Sequence, residues 1–452
     1  MCKFISTAFI LLVLCHTAQA RQMLYQKTAP PKVFFDAGEH RTSYTGPGRC
    51  EPAPSDIKEV LIGYFGPGTF TGPQAGDMWC AASLAVEQAN RDGGYKGLPF
   101  RLVSGWSQNP WGSGVKEVAR MAYVHKVWAV IGGIDGPSTH LAEQVVTKAR
   151  LTLLSPASTD KTVNLANVPW MFSCLPTDNI HAPLLAQAVY SHLGGKSFIL
   201  ASAADHDSHI FTSELNHSFI KHKISPSYHF EFKPAERDFS HLVKKIISSD
   251  AESLVVIAGA KDSAGLISAV REKYFTKFIF AGPCAGHSRF LTEAGRSAEN
   301  VIFPLLYVPS ENSETFEKDF THRFGNSPDY LAAHTYDAAN LLIAAIRKAG
   351  LNRTRICDEV RNLSPWQGVT GQIHWDGLGR NTRPVVLGTY ENHRIVTYQP
   401  NLPRPYPLPS TFELPSVSVK SLSTPISLKT STPPPIHRTS ILSTFSFLPS
   451  PK

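Results

Sequence analysis

Apolar and polar positions along this chain fall into two alternating rhythms, short apolar runs and longer stretches with apolar residues every three to four positions. The first are the pattern of buried strands and the second of amphipathic helices. Glu59 to Phe65 predicts a strand, followed by Gly66-Pro67-Gly68 and Gly72-Pro73. A helix is expected from Gly76 to Arg91, stopped by Asp92-Gly93-Gly94. Leu98 to Gly105 reads as the next strand and Ser113 to His125 as the next helix. The stretch Val127 to Asp160 then organises the chain. Val127 to Ile131 is an apolar run, Gly132-Gly133 breaks it, and a polar loop reaches Ser138-Thr139. Leu141, Val145, Val146 and Ala149 lie at helical spacing, and Leu151 to Leu154 is a second apolar run ending in Ser155-Pro156-Ala157-Ser158-Thr159. Such a β-loop-α-β-loop unit puts both loops at the carboxyl ends of neighbouring strands, where open α/β sheets bind ligands. Each loop reads either as a Ser/Thr helix cap or as a cradle for a small anion.

The rhythm continues after a strand at Trp170 to Leu175 and a polar break at Pro176-Thr177-Asp178-Asn179. Helices at Ile180–His192, His209–His222, Phe239–Ile247 and Ser263–Tyr274 alternate with strands at Ser197–Ser202, Tyr228–Phe232, Ser253–Ala258, Lys277–Ala281 and Val301–Val308. Three helices follow, Ser313–Phe324, Tyr330–Ala349 and Arg353–Leu363, and strands at Val369–Trp375, Pro384–Glu391 and Arg394–Tyr398 finish the pattern. Strands separated by helices of this length define βαβ units, so the fold class is α/β with two Rossmann-like lobes.

The ends of the chain are different. Residues 1–20 carry Lys3, an apolar core from Phe4 to Leu14 and Ala18-Gln19-Ala20, the pattern of a cleavable secretory signal. Residues 21–56 read as an extended leader. Residues 401–452 hold eleven Pro and eleven Ser without apolar periodicity, a composition that cannot offset chain entropy by burial and predicts a disordered tail. No run outside the signal reaches the about 18 apolar residues of a membrane span. The net charge of +8 includes five basic residues against one acidic residue from Asn401 onward, so it implies no nucleic-acid partner. Of seven cysteines, those beyond the signal (Cys50, Cys80, Cys174, Cys284, Cys357) are widely spaced and form neither a disulfide scaffold nor a zinc motif.

Candidate chemistry is sparse. Gly132-Gly133-x-x-Gly136 is not the dinucleotide pattern, and no nucleophile elbow, P-loop or H-E-x-x-H is present. Neither a cofactor nor a resident metal is expected. The run Asp205-His206-Asp207-Ser208-His209 has metal-ligand residue types, which in a chain with 18 histidines also arises by chance clustering. Trp170 is expected in the core; Trp106 and Trp111 either pack in the core or line the mouth of a cleft.

Several of these stretches, in this order, resemble the type I periplasmic binding proteins, in particular the leucine/isoleucine/valine-binding branch. Leu61-Ile62-Gly63 with Gly66-Pro67 resembles the first strand and glycine loop, and Ser83 to Asn90 with Gly93-Gly94 and Lys96-Gly97 the first helix and its turn. Val130-Ile131-Gly132 with Ser138-Thr139, and Leu154 to Thr159, resemble the two ligand loops. Arg237-Asp238-Phe239-Ser240 resembles a helix start in the second lobe. Gly371 with Trp375-Asp376 and Gly379 resembles a late strand and turn.

The resemblance implies two lobes with parallel central sheets, joined by a three-crossover hinge that closes over a ligand. The first lobe would hold 57–175 and 309–365, the second 176–308 and 366–400. It also implies a carboxylate held by Gly136, Ser138, Ala157, Ser158 and Thr159. The second lobe's aromatic position falls near Asp207-Ser208, and its ammonium-binding acid falls at Cys284, so the usual ammonium partner is absent and Asp207 is the candidate substitute. The loops bridged by a disulfide in some members carry no cysteine at Asp135 or near Gln108. The expected function is an exported, non-enzymatic solute-binding protein that carries an amino acid, amide or carboxylate to the permease and ATPase subunits of an ABC importer. A binding module feeding a signalling partner is the alternative, and an exported hydrolase or metal-dependent enzyme a third.

Overall fold

A computed structural model describes residues 35–36, 43–69, 76–107, 109–194 and 196–399. The signal reading of 1–20, most of the leader and the tail after 400 lie outside the described residues.

The strands are β1 (Val60–Phe65), β2 (Phe100–Gly105), β3 (Ala129–Gly132), β4 (Thr152–Ser155), β5 (Met171–Pro176), β6 (Phe198–Ala203), β7 (Tyr228–Phe232), β8 (Ser253–Ile257), β9 (Phe278–Ala281) and β10 (Val301–Leu305). Late in the chain come β11 (Trp366–Gly368), β12 (Gly371–Ile373), β13 (Arg380–Asn381), β14 (Val386–Glu391) and β15 (Arg394–Thr397). β11 and β12 pair with each other as an antiparallel ribbon, and the others form two main sheets. The first has the order β13-β5-β4-β3-β1-β2 and is parallel throughout. The second runs β15-β14-β10-β9-β8-β6-β7, parallel except where β14 joins β10 and β15 joins β14. β3, β4, β5, β6 and β8 are buried along their whole length, which is why they read as unbroken apolar runs rather than alternating ones.

The helices that position the cleft are α1 (Gly76–Arg91), α2 (Gly136–Ala149), α3 (Asp178–Leu193), α4 (His206–Lys221) and α5 (Tyr330–Ala349). α5 is buried over nearly its full circumference, from Tyr330 through Ile346, with His334, Thr335 and Asp337 among its buried residues. It packs on α1 and on the first sheet, with Ala338, Leu342 and Ile346 in one cluster with Val60, Ile62 and Phe172. The helix expected from Ser113 is Pro110–Val124, with wide five-residue turns on either side of a short α-helical segment, Val115–Ala119. The pattern also gave no sign of the short helix Ser288–Ala294.

The structure corrects the sequence reading in two places. Residues 366–381 were assigned to the second lobe, yet Trp366, Ile373 and Trp375 pack in the core of the first sheet. Arg380 and Asn381 pair with Ser173 and Pro176 of β5, and Asn381 Nδ2 donates to the Cys174 carbonyl at 2.8 Å. The last crossover therefore falls between Asn381 and Val386. The reason is hydrophobic: Trp375 lies against Phe172, centroids 5.3 Å apart, and donates its indole N–H to the Val360 carbonyl. The described end of the leader is likewise fixed. Tyr44 packs on Trp170 at 5.0 Å, Arg49 pairs with Asp358 at 2.6 Å, and Asn352 Nδ2 donates to the carbonyls of Gly48 and Glu51.

Cys50, Cys80, Cys174, Cys284 and Cys357 are all unpaired. Among the described residues no helix is long and apolar enough to cross a membrane.

Because Trp375 is buried in the first core, Trp375→Ala should cost about 3–5 kcal/mol of stability in urea denaturation. Hydrogen exchange should quicken in β5 and leave β14 and β15 unchanged; the reverse pattern would return residues 366–381 to the second lobe.

Candidate functional site

The carboxyl ends of the two parallel sheets carry the loops that meet between them. β3 ends in Gly132 and Gly133, at φ +141° and +79°. A Cβ on Gly132 would stand 2.3 Å from the Phe65 carbonyl oxygen, and one on Gly133 2.2 Å from Thr139 Oγ1, so only glycine lets the loop turn this tightly into α2.

At the start of α2, Asp135 accepts from the Ser138 amide at 2.8 Å and from its hydroxyl at 2.5 Å, while Ser138 Oγ accepts from the Ile134 and Asp135 amides. This is a capping box. It consumes Ser138, which is fully buried and satisfied within its own turn. The Gly136 amide is left over. It donates to both oxygens of Asp207, each at 3.1 Å, and Asp207 lies in the first turn of α4 beneath the second sheet. A carboxylate from one lobe thus sits on the helix N-terminus of the other, where the macrodipole favours negative charge. Burial pushes the Asp207 carboxyl up to about 7, against the lowering effect of the Gly136 amide.

Asp160, at the end of the loop after β4, is almost wholly buried. Its Oδ1 accepts from the Thr162 amide at 2.7 Å and hydroxyl at 2.6 Å. Its Oδ2 faces His140 Nε2 of α2 at 3.0 Å and His206 Nε2 of α4 at 2.8 Å. Burial works to raise its pKa, but the hydrogen bonds from His140, Thr162 and His206 prevail and hold it well below the usual carboxylate range. The hydrogen bond to Asp160 in turn raises His140.

Further in, the Thr159 carbonyl accepts from the Asp178 amide at 2.8 Å, and the Thr159 side chain bonds the Asp178 carboxyl. Asp178 is buried, and its Oδ1 has no hydrogen-bond partner. Burial, then the negative charges of Asp207, Asp160 and Glu214, push its pKa well up. One turn along α3, buried His181 has both ring nitrogens without a hydrogen-bond partner, and burial followed by the Arg383 charge lowers it to about 3. Arg383, in the last crossover, donates to the Leu306 carbonyl at 2.7 Å, and His334 of α5 reaches the same carbonyl at 3.1 Å. Cys284 is the second residue of a short turn, Pro283–Gly286, after β9. Burial, then the nearby carboxylates of Asp207 and Asp205, push its thiol up to about 12.

The residues singled out in the sequence divide accordingly. Gly136 meets Asp207 across the two lobes, Thr159 meets Asp178, and Cys284 lies near enough to Asp207 to feel its charge. Ser138 is spent in its capping box, Ser158 Oγ accepts from the Asp160 amide at 3.3 Å, and Ala157 packs in the apolar cluster that holds Tyr64 and Leu175. The Asp205–His209 run does not converge on itself: Asp205 caps α4 through the Ser208 amide, and His209 pairs with Glu231 at 3.8 Å. Trp170 is core, Trp106 lies on Phe65 at 5.3 Å, and Trp111 is exposed. Sequence reasoning missed Asp160, His140 and Asp178. The sign for Asp178 was a polar pair, Thr177-Asp178, between an apolar strand and an apolar helix.

With this geometry in place, comparison with known proteins is informative. The family model described as "Periplasmic binding protein" matches residues 60–394. The chain is 25% identical over 330 residues to an "Amino acid binding protein" of Pseudomonas aeruginosa, covering 72% of this chain and 87% of the relative. Among solved structures it is similar to the substrate binding protein LivJ from Streptococcus pneumoniae in complex with isoleucine, at a TM-score of 0.69 and 20% identity, covering 75% of this chain and 100% of that one. A leucine binding protein, LivK, from Thermotoga maritima gives 0.67 and 20% identity, with 75% and 98% covered.

Removing the Asp207 carboxyl strips the Gly136 amide of its partner, a cost of about 1–3 kcal/mol to the closed form. Asp207→Ala should therefore enlarge the radius of gyration of the ligand-free protein in small-angle X-ray scattering. An unchanged value would mean that closure is held by other contacts.

Proposed function

Because the chain belongs to the periplasmic binding protein family, we propose that it captures a small zwitterionic solute, an α-amino acid or close analogue, between its two sheets and hands it to an ABC-type importer. It is a solute binder and not an enzyme. The observation that carries the ligand class is the Gly136 amide. It receives a carboxylate, that of Asp207, which supports this helix start as the seat of a ligand carboxylate. Two acids, Asp178 and Asp207, then stand nearby for an ammonium group, in place of the acid that the Cys284 position lacks. An incoming ligand carboxylate would take the Gly136 amide and free Asp207 to face the ammonium. Replacement of water by these buried hydrogen bonds, together with hinge closure, supplies the affinity.

The names of the relatives point the same way. One is an amino acid binding protein, and the LivJ complex holds isoleucine. Delivery to a permease and ATPase is supported by the structural neighbours, which are substrate-binding proteins of transporters. Export rests on the signal pattern of residues 1–20, and the closed pair of lobes is the surface a permease would read.

The test is a thermal-shift screen of the protein against amino acids, amides and dicarboxylates, because a ligand that binds only the folded state raises the melting temperature. α-Amino acids should stabilise it, and response to amides or simple carboxylates alone would overturn the zwitterion assignment. For a responding amino acid, Asp178→Asn should weaken binding by about 1.5–3 kcal/mol, the range for a hydrogen bond to a charged group. Thr159→Ala should cost about 1 kcal/mol, read by calorimetry. Unaltered dissociation constants would remove these side chains from the site.

A further inference from the structure

Three side chains from different parts of the chain meet where the two lobes touch. His140 comes from α2 and Asp160 from the loop after β4, both in the first lobe, and His206 opens α4 in the second. Both imidazole Nε2 atoms face one carboxylate oxygen, Asp160 Oδ2, at 3.0 and 2.8 Å. The three ligand atoms all lie within 4.8 Å of one another. In a tetrahedral site with metal–ligand bonds of about 2.0–2.1 Å the ligand atoms stand about 3.3 Å apart, so small shifts bring these three onto a common ion.

We propose that His140, Asp160 and His206 form a binding site for a divalent transition-metal ion that ties the two lobes together. Two imidazoles and a carboxylate suit zinc and its neighbours rather than calcium or magnesium. The surroundings are those of a built site. Asp160 Oδ1 is fixed by the Thr162 amide and hydroxyl, and the same hydroxyl stands 2.9 Å from His140 Nε2, a contact the ion would replace. The Glu143 carboxylate stands 3.8 Å from His140 Nδ1, on the side where ligating histidines are commonly oriented by an acid. Asp207 stays on the Gly136 amide, a water completes the coordination, and the His206 side chain, 40% exposed, gives the ion a path from solvent. Because two ligands belong to one lobe and one to the other, the complete set exists only when the cleft is shut, and the ion acts on the closure equilibrium itself.

The proposal does not depend on the identity of the solute. Zinc binding to the metal-stripped full chain is measured by calorimetry and by equilibrium dialysis with elemental analysis. One equivalent should bind to the unaltered protein, and His140→Ala and His206→Ala should each weaken it tenfold or more. His217→Ala, at a histidine 66% exposed on the same helix, should leave it intact and so report stray binding to surface histidines. Cobalt in place of zinc should give the visible absorption of a tetrahedral site in the unaltered protein and lose it in His206→Ala. Zinc should reduce the radius of gyration only where His206 is present. Retention of the equivalent in both site variants, or none in the unaltered protein beyond that lost in His217→Ala, would overturn the proposal. Retained circular dichroism shows that a variant has folded. A melting-temperature response to amino acids without zinc would leave the solute reading standing whatever the metal result.

Discussion

Facing the carboxyl ends of two parallel sheets toward one another takes a set of polar groups out of water, and every one of them must then find a partner across the gap or bear the cost of desolvation. The sharpest case is the Gly136 amide, the one donor at the start of α2 that the capping box does not use. It takes its partner from the other lobe, in Asp207. Asp160 answers the same demand by drawing one histidine from each lobe to a single oxygen. The Leu306 carbonyl does so at the hinge, where it accepts from the Arg383 guanidinium of another crossover and meets His334. Hinge, cleft wall and lobe contact are all solutions to one constraint.

Much of the fold was legible because parallel strands buried on both faces leave long apolar runs, and the helices between them end in glycine or Asp/Asn signals. Tyr228–Phe232, Gly76–Arg91 and Tyr330–Ala349 have the bounds that the pattern gives. The last crossover was not legible. Short strands such as Trp366–Gly368 and Arg380–Asn381 carry too few residues for a period, and only the burial of Trp375 against Phe172 shows which sheet owns them. Ser288–Ala294 is hidden for the same reason, being two turns long.

The candidate site was legible as a place rather than as a set of side chains. The loops after β3 and β4 do meet the second lobe, through Gly136 and Asp160, yet Ser138 belongs to its helix cap, the plainer of the two readings open to such a loop. Asp160 and His140 escape a linear reading because what distinguishes them is the arrival of His206 from a residue far along the chain. Asp178 escapes because its burial depends on how the first crossover is packed.

The contact between Asp207 and the Gly136 amide has a further consequence. If the Gly136 amide is the seat of a ligand carboxylate, as proposed above, the protein carries its own tethered competitor for it. A ligand bound there would have to displace a carboxylate held at high effective concentration by the fold, so the observed affinity would be the intrinsic one divided by the strength of that internal occupancy. A bare anion gains little from the exchange, since it trades one carboxylate for another and leaves the evicted acid buried without a counter-charge. A solute that also brings a cation compensates the acid it evicts. Self-occupancy of this kind would act as a filter, rejecting abundant simple anions without any steric barrier at the mouth of the cleft.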